Sequence, residues 1–143
     1  MQTQVKELMT ENPIIISSNA TLKEAAQEMK SVDCGILPVG SWDNLEGMIT
    51  DRDIVIRAVA DGVDTSAARV QDYMTTDVFY CNKEDTLEQA AEEMNKNNVG
   101  RLAVKDSSGK VCGIITFGCI LRKNDSLSEI GKIVESAVGK KAA

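Results

Sequence analysis

Two amphipathic helices are predicted by the pattern of apolar and polar positions. Both carry apolar residues at i, i+3, i+4 and i+7, the stripe of a helix that packs on a core. The stripe residues are Leu22, Ala25, Ala26 and Met29 in the first helix, and Leu87, Ala90, Ala91 and Met94 in the second. Thr21-x-x-Glu24 and Thr86-x-x-Gln89 are capping boxes that mark the helix starts. The helices are predicted to end near Gly35 and Gly100.

Strands are predicted on both sides of each helix. The apolar runs at 14–16 and 78–81 predict buried strands before the helices. After each helix, two apolar segments joined by turn residues predict a hairpin. The hairpin strands are predicted at 36–39, 47–50, 101–105 and 111–116, followed by second helices at 51–60 and 117–123. Ser126-x-x-Glu129 predicts a last helix, which frays into residues 139–143.

The two halves are copies of one unit. Shifting the sequence by 65 residues gives 12 identities in the 35 positions from Val5 to Val39. A shift of 66 then aligns four more pairs: Gly47 with Gly113, Ile49 with Ile115, Thr50 with Thr116 and Ile54 with Ile120. Self-similarity of this kind is typical of a duplicated supersecondary unit, and one inserted residue at a turn is readily tolerated.

The repeat predicts the domain organisation. Residues 1–62 form the first β-α-β-β-α repeat, 63–69 a linker, 70–124 the second repeat, and 125–143 the C-terminal helix and tail. A unit of about 60 residues is marginal on its own. We therefore expect an α/β (α+β) fold of two pseudo-symmetric units packed sheet to sheet, with the functional site where the copies meet.

Composition excludes several function classes. The chain of 143 residues has 16 basic and 22 acidic side chains, a net charge of −6, and only 3% aromatic residues. A nucleic-acid binder needs more cationic charge and more stacking surface. The chain has no histidine, which excludes Ser-His-Asp and Cys-His catalysis. We predict no enzyme, no catalytic residue and no metal ligand.

The remaining sequence signals concern compartment and thiols. No apolar stretch is long enough for a transmembrane helix, and the first residues lack a signal-peptide core, so we expect a cytoplasmic protein. Cys34, Cys81, Cys112 and Cys119 form no C-x-x-C pair. Reduced, buried thiols are expected. A four-thiolate zinc site and a redox role for Cys112 with Cys119 stay open as alternatives.

Residues 47–53 carry the clearest candidate chemistry. They are predicted to run from a strand into a helix N-terminus, where free N–H groups and the helix dipole favour an anion. The Thr50 hydroxyl can donate to a phosphate or a ribose oxygen, and the Asp53 carboxylate can accept the two hydroxyls of a ribose. The same pair is also a capping box, so a purely structural role stays open.

These motifs resemble the CBS domain, the cystathionine β-synthase module. Each copy opens with Val-x-x-x-Met-Thr, at Val5–Thr10 and Val70–Thr75. The first copy closes with Gly47-x-x-Thr50-x-x-Asp53. The resemblance covers residues 3 to 123 and implies a stand-alone tandem pair, or Bateman module. It also implies that an adenosine-containing ligand, such as AMP, ADP, ATP or S-adenosylmethionine, binds in clefts between the repeats, with no other cofactor required.

The resemblance names two sets of ligand-binding residues. The first cleft takes Met48, Thr50, Arg52, Asp53, Thr76, Asp77, Val78, Val99 and Gly100. The second, weaker cleft takes Asn12, Pro13, Ile14, Cys34, Gly35, Arg101, Ile114 and Thr116. In the second, Cys119 stands where the first has Asp53, so the carboxylate and the capping box are both missing. Arg101 stands where some members of the family place a phosphate contact, and one tight site per chain is therefore expected.

Three functions are compatible with these observations. The favoured one is a regulatory module that senses an adenosine nucleotide and signals to an unidentified effector protein. The alternatives are an interaction protein with degenerate, unoccupied clefts, and an enzyme or redox protein that uses Cys112 and Cys119. A homodimer is expected because Ile54, Val55 and Val59 form an apolar helix face.

Overall fold

The computed structural model describes residues 2–124 and 126–138, which form two compact units. The first-repeat unit is Pro13–Val78. The second-repeat unit joins residues 2–12 to the described residues from Phe79 onward. The chain therefore passes from one unit to the other after Asn12 and again after Val78. The boundaries of the compact units consequently differ from the boundaries of the repeats along the chain.

A four-stranded sheet with helices forms the second-repeat unit. Its helices are α1 (Val5–Leu8), α4 (Leu87–Asn97), α5 (Phe117–Lys123) and α6 (Leu127–Val138), and its strands are β1 (Thr10–Glu11), β4 (Tyr80–Asn82), β5 (Arg101–Lys105) and β6 (Val111–Thr116). The strand order is β1-β6-β5-β4. The β5–β6 hairpin is antiparallel, whereas β4 runs parallel to β5.

The first-repeat unit has the same arrangement of elements around its hairpin, but the strand pairing at the edges of its sheet is shorter. It contains α2 (Leu22–Val32), the antiparallel hairpin of β2 (Ile36–Gly40) and β3 (Leu45–Thr50), α3 (Asp51–Asp53), a π-helix (Ile54–Val59) and a short 3₁₀ helix (Val70–Asp72). Single bridges replace the outer strands. Ile16 pairs in parallel with Val39, and Thr75 pairs antiparallel with Met48.

The segment that leads into each repeat packs on the hairpin of the other repeat. We call residues 5–11 and 70–78 the lead-in segments. Thr10 of the first pairs with Ile114 in β6, and Thr75 of the second pairs with Met48 in β3. Each hairpin thus gains one of its two outer pairing partners from the lead-in segment of the other copy. This exchange of lead-in segments is not visible in the order of predicted elements.

The apolar stripes of the two predicted helices pack into the two cores, except that Ala26, predicted to belong to the first stripe, is exposed. Leu22 and Ala25 of α2 are fully buried, and so are Leu87 and Ala91 of α4. The predicted hairpins are confirmed within one or two residues at their ends. The fold is α/β, as predicted.

Helix ends differ from the prediction. α2 and α4 stop at Asp33 and Asn98, whose φ angles of 52° and 54° lie in the left-handed region. The prediction that Gly35 and Gly100 end these helices is therefore wrong by two residues, because Asp and Asn tolerate that conformation through local polar contacts. At the N-terminal end, Thr86 and Gln89 form both bonds of a capping box.

Three further predictions need correction or lie outside the described residues. A strand at 14–16 is wrong, because only Ile16 forms a bridge and Ile14 is exposed. The helix predicted at 51–60 is a single α-turn followed by the π-helix. Ile54, placed on an outer face by the sequence pattern, is 7% exposed and belongs to the core. The predicted fraying of residues 139–143 falls outside the described part of the chain.

A carboxylate fastens α6 to the N-terminal segment within the second-repeat unit. Glu129 accepts hydrogen bonds from the backbone N–H and the hydroxyl of Thr3, at 2.9 and 2.8 Å, and from Asn124 at 2.7 Å. Partial burial opposes ionisation, but these three donors outweigh it and hold the pKa of Glu129 below its usual value. Fully buried Ile133 anchors the same helix in the core.

Candidate functional site

The candidate site is built where β3 ends and α3 begins. The Thr50 hydroxyl accepts the Asp53 N–H at 3.0 Å, and Asp53 Oδ2 accepts the Thr50 N–H at 3.1 Å. These reciprocal bonds form a complete capping box. The Asp53 side chain is only 12% exposed. Both groups that the sequence pointed to are therefore held in one orientation by the turn itself.

Arg57 adds a positive charge beside this carboxylate. Its Nε lies 3.8 Å from Asp53 Oδ1, one helical turn away. Its Nη1 donates to the carbonyl oxygens of Tyr73 and Met74, at 3.2 and 3.4 Å. The arginine thus contacts both the carboxylate and the backbone of the second lead-in segment.

The lead-in segment brings three more predicted residues to the same unit. Met48, buried in β3, donates to the Thr75 carbonyl at 2.9 Å and accepts from the Thr75 N–H at 2.8 Å. Thr76 and Asp77 follow that bridge and are exposed, whereas Val78 is half-buried. Arg52 is exposed beside the turn. The first-repeat unit therefore contains seven of the nine residues predicted for the first cleft.

The remaining two residues of that set lie in the second-repeat unit. Val99 packs partly against its core, and its N–H donates to the Met94 carbonyl at 2.9 Å. Gly100 follows, and a Cβ built there would meet no atom within 4 Å. The participation of Val99 and Gly100 in a shared site stays a prediction.

Residues of the predicted second cleft are likewise divided between the units. Asn12, Arg101, Ile114 and Thr116 lie in the second-repeat unit, and Pro13, Ile14, Cys34 and Gly35 in the first-repeat unit. Arg101 and Thr116 are register partners in the β5–β6 hairpin. Asn12 has a φ of 48°, and its N–H donates to the Cys112 carbonyl at 3.2 Å.

The second turn, which ends in Cys119, keeps one bond of a capping box and lacks the other. The Cys119 N–H still donates to the Thr116 hydroxyl at 3.0 Å. The predicted loss of the capping box is therefore confirmed, because the cap bond to the Thr116 hydroxyl remains but no carboxylate accepts the Thr116 N–H in return. The Cys119 thiol donates instead to the Leu8 carbonyl at 3.3 Å. A thiol accepts hydrogen bonds weakly, so this turn lacks the acceptor that Asp53 supplies.

A second difference between the copies lies beside each turn. Asp51 donates its N–H to the Gly35 carbonyl at 2.9 Å, and a Cβ at Gly35 would lie 2.7 Å from the Asp51 carboxylate. In the second copy Phe117 takes this position, and its N–H donates to the Gly100 carbonyl at 2.9 Å. The first turn therefore carries two carboxylates where the second carries none.

Two of the four thiols, those of Cys81 and Cys112, have environments that disfavour the thiolate. All four cysteines are free, with Cys81 and Cys119 buried and the other two half-buried. Burial, followed by the nearby Asp85 charge, raises the pKa of Cys81 to about 12. Burial likewise raises the pKa of Cys112. Since the thiolate is the reactive form, neither environment activates a nucleophile.

Across 2–124 and 126–138, no cluster of three or more Cys, Asp or Glu side chains is arranged to hold a metal ion. No helix in that part of the chain has the length and apolar character to cross a bilayer.

Sequence reasoning missed the structural role of Arg57. Asp53 and Arg57 have the i, i+4 spacing of helical ion pairs, which was a usable signal. Its bonds to residues 73 and 74 were not predictable, because they depend on the exchanged lead-in segment.

Comparison with known proteins agrees with this architecture. The CBS domain family model matches residues 5–59 and 70–133. The CBS domain-containing protein YhcV of Bacillus subtilis is 36% identical over 116 residues, which is 81% of each chain. Hypoxic response protein 1 of Mycobacterium tuberculosis is 32% identical over 121 residues, 84% of each chain.

Solved structures show the same fold. The crystal structure of hypoxic response protein I, which holds two coordinated zinc ions, matches with a TM-score of 0.70 and 30% identity over 85% of this chain and 99% of that one. The CBS domain pair of protein MJ0100, solved with 5′-methylthioadenosine and S-adenosyl-L-methionine, matches with a TM-score of 0.73 and 28% identity over 85% and 95%. The family model covers both repeats, and this chain therefore belongs to the CBS domain family as a tandem pair of CBS repeats.

Proposed function

We propose that this chain is a non-catalytic regulatory module that binds an adenosine-containing ligand at the turn from Thr50 to Asp53. The observation that carries the proposal is the nearly buried Asp53 carboxylate, held by the Thr50 N–H at 3.1 Å. The CBS pair of MJ0100, a structural relative of this chain, was solved with two adenosine compounds. The bound state would be read by an effector protein.

Acceptor sites on the Asp53 carboxylate suit a ribose. A carboxylate offers about four lone-pair sites on its two oxygens. The Thr50 N–H uses one site on Oδ2, and the Arg57 Nε faces Oδ1 at 3.8 Å. Sites remain for the two hydroxyls of a ribose, which donate charge-assisted hydrogen bonds. The Thr50 hydroxyl accepts from Asp53, so its own proton is available to a ligand oxygen.

The charges around the turn favour a ligand with few phosphates. Asp51 and Asp53 bring two negative charges to the start of the helix, and Arg52 and Arg57 bring two positive charges. The cations offset the carboxylates without leaving an excess to neutralise a triphosphate. Adenosine, AMP and S-adenosylmethionine are therefore better matched to this site than ATP.

A thermal-shift screen tests the proposed function. Adenosine, AMP, ATP, S-adenosylmethionine and GMP are each added in excess, because a ligand that binds only the folded state raises the melting temperature. We expect at least one of adenosine, AMP and S-adenosylmethionine to raise the melting temperature. GMP should raise it less. If no adenosine compound shifts the transition, then the interaction-protein alternative with unoccupied clefts is the better description.

A second copy of the chain is the proposed partner of the π-helix. Val55, Ile56 and Val59 are 53%, 54% and 57% exposed, while Ile54 and Ala58 of the same helix are buried. Apolar side chains grouped on one face are typical of an interaction surface, and closed homodimers are the commonest oligomers.

Light scattering tests this dimer. We expect a mass of twice 15.5 kDa for the parent chain. Val59→Glu should shift the mass to that of a monomer, because it places a charge in the apolar surface. Leu127→Glu is the matched control, since Leu127 is 85% exposed in α6 and should leave the mass unchanged. A monomeric parent protein at high concentration would contradict the proposal.

A further inference from the structure

A basic side chain contacts the lead-in segment in both units. Arg57 donates to the Tyr73 carbonyl at 3.2 Å, and Lys123 donates to the Leu8 carbonyl at 3.5 Å. The repeat alignment makes Arg57 equivalent to Lys123 and Tyr73 equivalent to Leu8. This contact is therefore a common structural feature of the two copies.

The first-repeat unit adds a contact that the second lacks. Arg57 Nε also lies 3.8 Å from Asp53 Oδ1, and Arg57 Nη1 reaches the Met74 carbonyl at 3.4 Å. In the second-repeat unit the residue at the Asp53 position is Cys119, whose thiol donates to Leu8. The arginine thus connects a carboxylate to the lead-in backbone, whereas the lysine contacts only the backbone among the partners described.

We propose that Arg57 is a positioning residue that orients Asp53 for the ligand and couples ligand binding to the lead-in segment 70–78. This inference rests on the proposed function. It assigns Arg57 no direct contact with the ligand.

The chemistry of the guanidinium explains why an arginine suits this task. Its five donors have a fixed planar arrangement, so one group can face a carboxylate and a carbonyl at once. The hydrogen bonds from Arg57 to the Tyr73 and Met74 carbonyls fix the orientation of the guanidinium plane. That orientation determines where Nε lies relative to the Asp53 carboxylate. A ligand that hydrogen-bonds to the Asp53 oxygens changes the electrostatic attraction between Asp53 and Arg57 Nε. The guanidinium transmits that change to the backbone at residues 73 and 74 through its Nη1 hydrogen bonds.

Calorimetric titration with adenosine and with AMP separates positioning from phosphate contact. Arg57→Met should weaken both ligands by about fivefold, the scale of a half-exposed charge contact. The ratio of the two affinities should stay unchanged, because the lost contact concerns the ribose. Lys123→Met removes the equivalent backbone contact in the other unit and should leave both affinities unchanged. Weakening of AMP alone would show that Arg57 contacts the phosphate, and would overturn the inference.

Two measurements distinguish a positioning role of Arg57 from a purely structural one: the ligand affinity of Arg57→Lys and amide hydrogen exchange in residues 70–78. Lys123 shows that a lysine can reach the lead-in carbonyl, so Arg57→Lys should retain that bond and much of the stability. We expect it to lose the contact with Asp53 and to weaken both ligands. In the parent protein, saturating adenosine should slow amide exchange in 70–78. In Arg57→Met at saturation, this protection should be reduced, and full protection would contradict the coupling.

The same titrations separate this inference from the proposed function. If the parent protein binds neither adenosine nor AMP, both proposals fail. If Asp53→Ala weakens binding but Arg57→Met and Arg57→Lys bind as tightly as the parent protein, only the role of Arg57 is overturned.

Discussion

Replacement of Asp53 by alanine should weaken adenosine binding at least about tenfold. The carboxylate is expected to accept the ribose hydroxyls, and hydrogen bonds to a charged group contribute roughly 1.5–3 kcal/mol each. The Asp53 side chain is 12% exposed, so water screens these bonds only partly. A loss of one such bond already corresponds to about a tenfold change in affinity.

Gln89→Ala is the matched control for this variant. Gln89 forms the same reciprocal capping box with Thr86, in the other unit, that Asp53 forms with Thr50. Loss of a capping contact costs about 0.5–2 kcal/mol of stability, and both variants should lose stability on this scale. Only Asp53→Ala should lose affinity. Equal affinities for both variants and the parent protein would show that Asp53 is a helix cap alone.

Titration should also give a stoichiometry near one ligand per chain. Thr116 caps the second turn as Thr50 caps the first, but the second turn ends in Cys119. A thiol is a poor acceptor for ribose hydroxyls. Arg101 can pair with a phosphate, but it cannot accept a hydroxyl hydrogen. Two equivalent sites per chain would contradict this assignment.

Gly47→Ala should strongly destabilise the first-repeat unit. A Cβ at Gly47 would lie 2.5 Å from the Thr75 carbonyl oxygen and 3.0 Å from the Met74 sulfur. The carbonyl belongs to the Met48–Thr75 bridge, whose two backbone bonds of 2.8 and 2.9 Å leave little room to move. We expect a loss of about 1–3 kcal/mol in the free energy of unfolding, as for other overpacked sites.

Urea denaturation of matched glycine variants measures this effect. Gly113→Ala should lower the free energy of unfolding of the second-repeat unit by a similar amount, because a Cβ there would lie 2.8 Å from the Thr10 carbonyl oxygen. Gly100→Ala should change stability by no more than about 0.5 kcal/mol, because nothing lies within 4 Å of its Cβ. If Gly47→Ala is as stable as Gly100→Ala, the lead-in segment does not pack as described.

The sequence was sufficient for the elements whose signal is local. The stripe of Leu22, Ala25 and Met29 and the cap at Thr21 depend on residues a few positions apart. The hairpin turns depend on four or five adjacent residues, such as Ser41 to Asn44. Periodicity and turn chemistry therefore predicted these elements correctly.

Features that depend on distant residues were predicted less well. Ile14 and Ile15 resemble a strand, but the backbone pairs only at Ile16, where Val39 offers a partner. The Thr50–Asp53 pair was predicted because its signal lies within four residues. Arg57 was not recognised as its partner because its other contacts, at Tyr73 and Met74, come from the exchanged lead-in segment.

A crystal structure of the protein with adenosine or AMP would test the central claim most directly. We expect the ribose hydroxyls to lie within hydrogen-bond distance of the Asp53 carboxylate, with the Thr50 hydroxyl donating to a ligand oxygen. Ligand bound only beside Thr116 and Cys119, with nothing on Asp53, would contradict the account.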